Sequence, residues 1–138
     1  MKFSVGDWMI DLLVYIHPDS TVKDALTLMR RRYIHSLIVE KSEDNPAYGI
    51  LTSTDICDKI IAKDKNPSLV KVREIMSTPL VTVKKDMSLK ECAENMQKFH
   101  IHHIPVVNDN GDLVGMVSAT DFLVAAESMG NLPGEKIV

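Results

Sequence analysis

Apolar residues recur at Val22, Ala25, Leu26 and Met29, and again at Leu89, Cys92, Ala93 and Met96. The i, i+3, i+4, i+7 spacing places one apolar stripe on each of two helices, and such stripes form core rather than a cofactor surface. Ser88-Leu-Lys-Glu91 reads as a capping box at the start of the second helix: the serine oxygen can accept from the N3 amide, and the glutamate can reach back. Thr21-Val-Lys-Asp24 is its weaker twin. A β-rich stretch precedes each helix, at 12–16 and, after Pro79, at 80–83. Two strands follow each helix, at 36–40 and 48–52, then at 103–107 and 113–118. Asn108-Asp-Asn-Gly-Asp112 joins the last two as a hairpin, since Asn-Gly tolerates positive φ. The earlier pair has a longer loop containing Pro46. Closing helices begin near Thr54-Asp55 and Thr120-Asp121, and Ile56, Cys57, Ile60 and Ile61 give the first a buried side. With the short opening segments Val5-Gly-Asp-Trp-Met9 and Val72-Arg-Glu-Ile-Met76, the chain reads β-α-β-β-α, twice.

The two halves also match residue by residue. Residues 5–40 align with 72–107 at an offset of 67, and after a one-residue deletion Gly49 to Asp55 align with Gly115 to Asp121. Identical pairs include Val5/Val72, Met9/Met76, Asp19/Asp86, Lys23/Lys90, Met29/Met96, Ile34/Ile101 and His35/His102, besides Gly49/Gly115, Thr54/Thr120 and Asp55/Asp121. Such a period marks a repeat architecture. We assign 5–63 to repeat 1, 64–71 to a linker, 72–128 to repeat 2 and 129–138 to a flexible tail. A unit of this size can hardly bury its apolar faces alone. The fold class expected is therefore α+β, with the two repeats packed by pseudo-two-fold symmetry into one cooperative domain with a cleft between them.

Composition narrows the function classes. The 138 residues are 45% hydrophobic and 25% charged, with a net charge of −3. No basic tract or aromatic-basic interleaving argues for nucleic acid. Cys57 and Cys92 read as buried free thiols, too few for a disulfide framework. The apolar run 8–16 is interrupted by Asp11, is too short to span a bilayer and lacks a following cleavage site, so no membrane association and a cytoplasmic location are expected.

The strongest chemical signal is the twinned Gly49-Ile-Leu-Thr-Ser-Thr-Asp55 and Gly115-Met-Val-Ser-Ala-Thr-Asp121. Each places hydroxyls and a carboxylate at a strand-to-helix junction. A carboxylate there can accept two hydrogen bonds from a vicinal diol, the chemistry of ribose recognition. The alternative is that these residues simply cap the closing helices. Nothing resembles a nucleophile elbow, a P-loop, a paired-carboxylate constellation or a dinucleotide glycine fingerprint, so no enzymatic activity is expected. Alternation puts His100 and His102 on one strand face and His103 on the other. That leaves two imidazoles without a third ligand, so no metal site is expected.

Taken together, Glu74-Ile-Met-Ser-Thr-Pro79, the helix start at Ser88, His100-Ile-His-His-Ile-Pro-Val-Val107 and Gly115-Met-Val-Ser-Ala-Thr-Asp121 resemble a CBS (cystathionine β-synthase-type) domain. Repeat 1 carries weaker forms, Tyr33-Ile-His-Ser-Leu-Ile-Val39 and Gly49-Ile-Leu-Thr-Ser-Thr-Asp55. The whole is similar to a tandem CBS pair, or Bateman module, over residues 5 to 128. The resemblance implies two pseudo-symmetric clefts for adenosine-type ligands such as AMP, ADP, ATP, NAD(H) or S-adenosylmethionine, held as regulatory ligands rather than cofactors, and a homodimer. In the second cleft it implies that Asp121 holds the ribose, with Ser118 and Thr120 beside it, and that Thr78, Pro79, Ile104 and Pro105 flank the adenine. In the first cleft it implies Asp55, Thr52 and Thr54 for the ribose, with Leu37 and Ile38 in the adenine wall. There Asp11 replaces Thr78, Leu12 replaces Pro79 and Ile38 replaces Pro105, which favours the second cleft as the binding one.

Phosphates need cations. Arg30, Arg31, Arg32, His35, Lys98, His100, His102 and His103 cluster before the middle strands, and the resemblance implies phosphate contacts there, with Arg32, His35, His102 and His103 as the candidates. A solvated helix end is the other reading of the arginines. The expected function is a stand-alone regulatory module that binds an adenosine-type ligand and signals to a separate effector protein. The alternative is a structural or oligomerisation module with no physiological nucleotide.

Overall fold

The computed structural model describes residues 3–130. The elements are α1 (Val5–Trp8), β1 (Tyr15–Ile16), α2 (Val22–Arg32), β2 (Ser36–Val39), β3 (Gly49–Thr52), α3 (Ser53–Ile56), β4 (Val83–Lys84), α4 (Leu89–Phe99), β5 (His103–Val107), β6 (Leu113–Ser118) and α5 (Asp121–Gly130). A π-helical turn, Cys57–Ile61, continues α3, and short 3-10 turns occupy Pro67–Leu69 and Val72–Glu74. This is a mixed α+β fold in which each repeat supplies one three-stranded sheet.

The chain forms two compact units, but their boundaries are not those of the repeats. The first unit is Leu13–Leu80; the second is discontinuous, built from residues 3–12 and 81–130. In the first, β1 runs parallel to β2 and β2 antiparallel to β3, with Leu37 opposite Leu51. In the second, β4 runs parallel to β5 and β5 antiparallel to β6, with Ile104 opposite Val117. The helical stripes fill the cores. Val22, Ala25 and Met29 of α2 pack with Leu37, Val39, Leu51 and Ile60. Leu89, Cys92 and Met96 of α4 pack with Ile104, Val106, Val117 and Ala125. Thr21 Oγ1 accepts from Asp24 N and Ser88 Oγ from Glu91 N, each at 3.1 Å. Both helices end on a left-handed residue, Tyr33 and His100, each at φ 54°. The following amides of Ile34 and Ile101 donate back to the Met29 and Met96 carbonyls at 3.0 Å, as in a Schellman cap.

The unit boundaries follow from an exchange of opening segments. Residues 70–77, the end of the linker and the start of the second repeat, lie in the first unit, where Val22 N donates to Val70 O (2.8 Å), Val72 N to Ser20 O (2.9 Å) and Arg73 N to Pro18 O (2.9 Å). Residues 3–10, which lead into and open the first repeat, do the same in the second unit: Leu89 N donates to Phe3 O (2.9 Å), Val5 N to Met87 O (2.8 Å) and Gly6 N to Lys85 O (2.8 Å). Ile50 and Ser77 exchange reciprocal backbone bonds, as do Ile10 and Met116. Val5 and Val72 are fully buried, each burial contributing roughly 1.5–3 kcal/mol. The Arg73 Nε–Asp19 ion pair, at 2.7 Å, fastens the first unit's visitor at its rim and holds the Asp19 carboxyl below its ordinary pKa by that hydrogen bond.

Several local expectations change. The strands at 12–16 and 80–83 shorten to Tyr15–Ile16 and Val83–Lys84. Ala93 is exposed, and at Ser88 only the serine half of the box is made. The reciprocal box occurs instead at Thr52 and Asp55. The π turn inserts a residue per turn and rotates its apolar side chains, so Ile60 is buried while Cys57 is exposed and Ile61 is 72% exposed. His100 is a helix cap rather than a strand residue, so the alternation with His102 does not hold. The expected linker contains a 3-10 turn and the buried Val70. The proposed tail lies outside the described residues from 131 onward.

Two outcomes test this packing. A Cβ on Gly115 would lie 2.6 Å from Met9 Sδ and 2.9 Å from Ile10 O; on Gly49 it would lie 2.7 Å from Met76 Sδ. Gly115→Ala is therefore expected to cost about 1–3 kcal/mol in urea unfolding through overpacking against backbone, and a change below about 0.5 kcal/mol, within ordinary surface variation, would contradict the close approach. Burial pushes the Cys92 thiol up to about 11, whereas Cys57 is exposed. A thiol reagent at neutral pH should label one cysteine in the native protein and two in denaturant, because the thiolate is the reactive form. Rapid native labelling of both would contradict the core assignment.

Candidate functional site: the two strand-helix junctions

The twinned glycine-to-aspartate motifs form the same turn in each unit. In the second unit, β6 ends at Ser118 and α5 starts at Asp121. Asp121 Oδ2 accepts from Ser118 N at 2.8 Å and Ser118 Oγ at 3.1 Å, while the Ser118 and Thr120 hydroxyls are 2.7 Å apart. Ala119 N donates to His102 O at 2.9 Å, tying the junction to the residue before β5. Asp121 is partly exposed and Thr120 exposed. The carboxylate is thus oriented by two donors from one residue, both on one oxygen.

In the first unit, Asp55 Oδ2 accepts from Thr52 N at 2.9 Å and Thr52 Oγ1 at 3.3 Å. Ser53 N donates to His35 O at 3.1 Å, so His35 and His102 play one main-chain role in the two units. Here Asp55 also accepts from Lys59 Nζ at 3.0 Å on Oδ1, and Lys59 Nζ donates to Ile75 O at 2.7 Å. Asp55 is only 8% exposed. Lys59, one helical turn beyond Asp55, was not among the residues singled out from sequence. Its signal was the acid-to-lysine spacing of four, which brings two side chains together on a helix.

The remaining candidates fall as follows. Thr54, His35 and Arg32 are exposed in the first unit, as are Arg30 and Arg31 in the last turn of α2, where cations suit the helix dipole. Leu37 and Ile38 are fully buried on β2, Leu37 within the core. In the second unit His102 is exposed, His103 is half-buried opposite Ser118, and Ile104 and Pro105 are buried. Thr78 and Pro79 lie in the first unit, joined by a cis peptide, and Thr78 Oγ1 donates to Tyr48 O at 3.1 Å. Asp11 and Leu12 are exposed in the second unit, just beyond the Ile10–Met116 pairing. The exchange of opening segments therefore places Thr78 and Pro79 in the unit that holds Asp55, and Asp11 and Leu12 in the unit that holds Asp121, the reverse of the grouping by repeat.

Among the described residues, no group of three His, Cys, Asp or Glu side chains could hold a metal ion, and no helix is long and apolar enough to cross a membrane. An open hollow in the second unit, lined by Ser4, Gly6, Asp7, Lys85, Asp86, Asn108 and Asp109, shares no residue with the junction.

The CBS domain family model matches residues 5–62 and 72–128. A Methanopyrus kandleri protein of uncharacterized function is 37% identical over 120 residues, which cover 87% of this chain and 61% of that protein. The hexameric CBS-CP12 protein from bloom-forming cyanobacteria superimposes with a TM-score of 0.85 at 30% identity, over 98% of this chain and 78% of that one. The CBS domain pair of protein MJ0100, in complex with 5′-methylthioadenosine and S-adenosylmethionine, gives a TM-score of 0.78 at 25% identity, over 94% of this chain and 99% of that one. Duplicated sequence, twin sheets and twin junctions have one explanation: the chain belongs to the CBS domain family, as a tandem pair of its repeats.

Proposed function

We propose that this chain is a regulatory, non-catalytic CBS pair that binds an adenosine-type ligand at the Asp121 junction and signals to a separate effector protein. The observation that carries this reading is the Asp121 carboxylate. Ser118 N and Ser118 Oγ fix it through Oδ2, and the side chain remains partly exposed. A ribose brings two adjacent hydroxyl donors, and a carboxylate already held in place accepts them without losing rotamer freedom. The exposed Thr120 hydroxyl adds a polar neighbour. The 5′-methylthioadenosine and S-adenosylmethionine bound to the MJ0100 pair share that ribosyl group.

The junctions offer positioning and no nucleophile-base pair, so the consequence of binding is a shift in conformational population. A ligand can bias an equilibrium only through its differential affinity for the states. The exposed His102, in the same unit as Asp121, is the candidate for a ligand phosphate. A cytoplasmic location fits a metabolite sensor of this kind.

A second reading, an oligomerisation module without nucleotide, draws on α5. Leu123 is 70% exposed, and Val124 and Met129 are also exposed. A homodimer is compatible with both readings. A melting-temperature panel with millimolar AMP, ATP, NADH and S-adenosylmethionine separates them, because a ligand that binds only the folded state must stabilise it. At least one compound should raise the midpoint, and a flat panel favours oligomerisation alone. Asp121→Ala is expected to weaken binding of the stabilising compound at least tenfold by calorimetry, equivalent to about 1.4 kcal/mol, with the far-ultraviolet spectrum unchanged. Equal affinity in a folded variant would remove Asp121 from the site.

A further inference from the structure

We infer that Lys59 is a built-in occupant of the first junction, and that it restricts adenosine-type binding to the Asp121 junction. The inference rests on reading both junctions as diol acceptors. It starts from a difference between two motifs that are otherwise twins. A carboxylate offers about four acceptor positions, two on each oxygen. At Asp55, Thr52 N and Thr52 Oγ1 fall on Oδ2, and Lys59 Nζ falls on Oδ1. Three positions are taken, and a vicinal diol brings two protons. The diol cannot be seated without displacing a donor, and the donor outside the junction turn is Lys59.

Displacement is opposed by two contacts. Lys59 Nζ bonds Asp55 Oδ1 and Ile75 O together, at 3.0 and 2.7 Å. Its removal would leave the carboxylate, on a side chain 11% exposed, without its cationic partner, and a charge in that setting is costly to leave unpaired. The Ile75 carbonyl would also lose a donor. Lys59 thereby staples α3 to the segment that leads into Thr78, whose own hydroxyl proton goes to Tyr48 O. Asp55 and Thr78, two of the polar groups of the first unit expected to face a ligand, are thus satisfied from within the protein.

The second junction lacks this device. The residue four beyond Asp121 is Ala125, which is 2% exposed and part of the core. It has no amine to offer, and among the described residues the bonds to Asp121 fall on Oδ2. The acid-to-lysine spacing thus distinguishes a junction closed on itself from one built to accept.

Calorimetry on the full chain tests this, with 5′-AMP and 5′-methylthioadenosine as probes titrated to millimolar concentration. The wild type is expected to bind one equivalent per chain. Lys59→Met should bind two, and Lys59→Met combined with Asp55→Asn should return to one. Lys59→Arg, which keeps the cation, should remain at one. Lys59→Leu, which likewise offers no donor, serves if Lys59→Met proves unfolded by circular dichroism, and should also reach two. Two equivalents in the wild type, or one in every folded Lys59 variant, overturns the role of Lys59 and leaves the Asp121 reading standing. No saturable binding in any protein overturns both.

Discussion

The close approach of each repeat's opening segment to the other repeat's glycine strand is the constraint on which the structure depends. Met9 and Ile10 lie against Gly115, and Met76 and Ser77 against Gly49, at distances where a methyl group does not fit. The reciprocal backbone bonds of Ile10 with Met116 and of Ile50 with Ser77 add each visiting segment to the edge of a three-stranded sheet. Val5 and Val72 then enter the cores as fully buried side chains. Neither compact unit is therefore the product of one sequence repeat. The second unit is assembled from the beginning of the chain and its latter half, so it cannot close until the intervening residues have been made.

The same constraint positions the chemistry. The glycine that admits the visiting segment opens the motif that ends, six residues later, in the junction aspartate. Seating the visitor fixes the strand, the strand fixes the Thr or Ser hydroxyl, and that hydroxyl and its amide fix the carboxylate. From this common plan the two junctions part most plainly four residues beyond the aspartate. Lys59 neutralises Asp55 and ties it to the visiting segment through Ile75. Ala125 at the corresponding position contributes only packing. On the inference drawn above, that lysine makes the first of the two junctions structural.

Much of this was legible in the sequence, for definite reasons. The α2 and α4 stripes were visible because a 3.6-residue period survives in apolar spacing, and β5 and β6 because Asn-Gly fixes their hairpin. The junction aspartates were visible because the motif occurs twice. The π turn was not, since Ile56, Cys57, Ile60 and Ile61 fit an ordinary helical face and the extra residue per turn leaves no compositional mark. The exchange was hidden for a different reason. A period reports which segments are alike, and not which partner each one packs against. Thr78 and Pro79 were accordingly grouped with Asp121 of their own repeat, although the fold carries them into the unit of Asp55. A clue was present in Met9/Met76 and Gly49/Gly115, identical in both copies, since each methionine sits on the opposite copy's glycine.

The central claim is that two junctions of one design differ in whether they accept a ligand. Its most direct measurement is a nuclear magnetic resonance titration of the uniformly nitrogen-15-labelled chain with 5′-methylthioadenosine. The account predicts saturable shifts at the amides of Ser118, Ala119, Thr120 and Asp121, with those of Thr52, Ser53, Thr54 and Asp55 nearly unmoved. Equal shifts at both sets of amides, or larger shifts at the first, would contradict it.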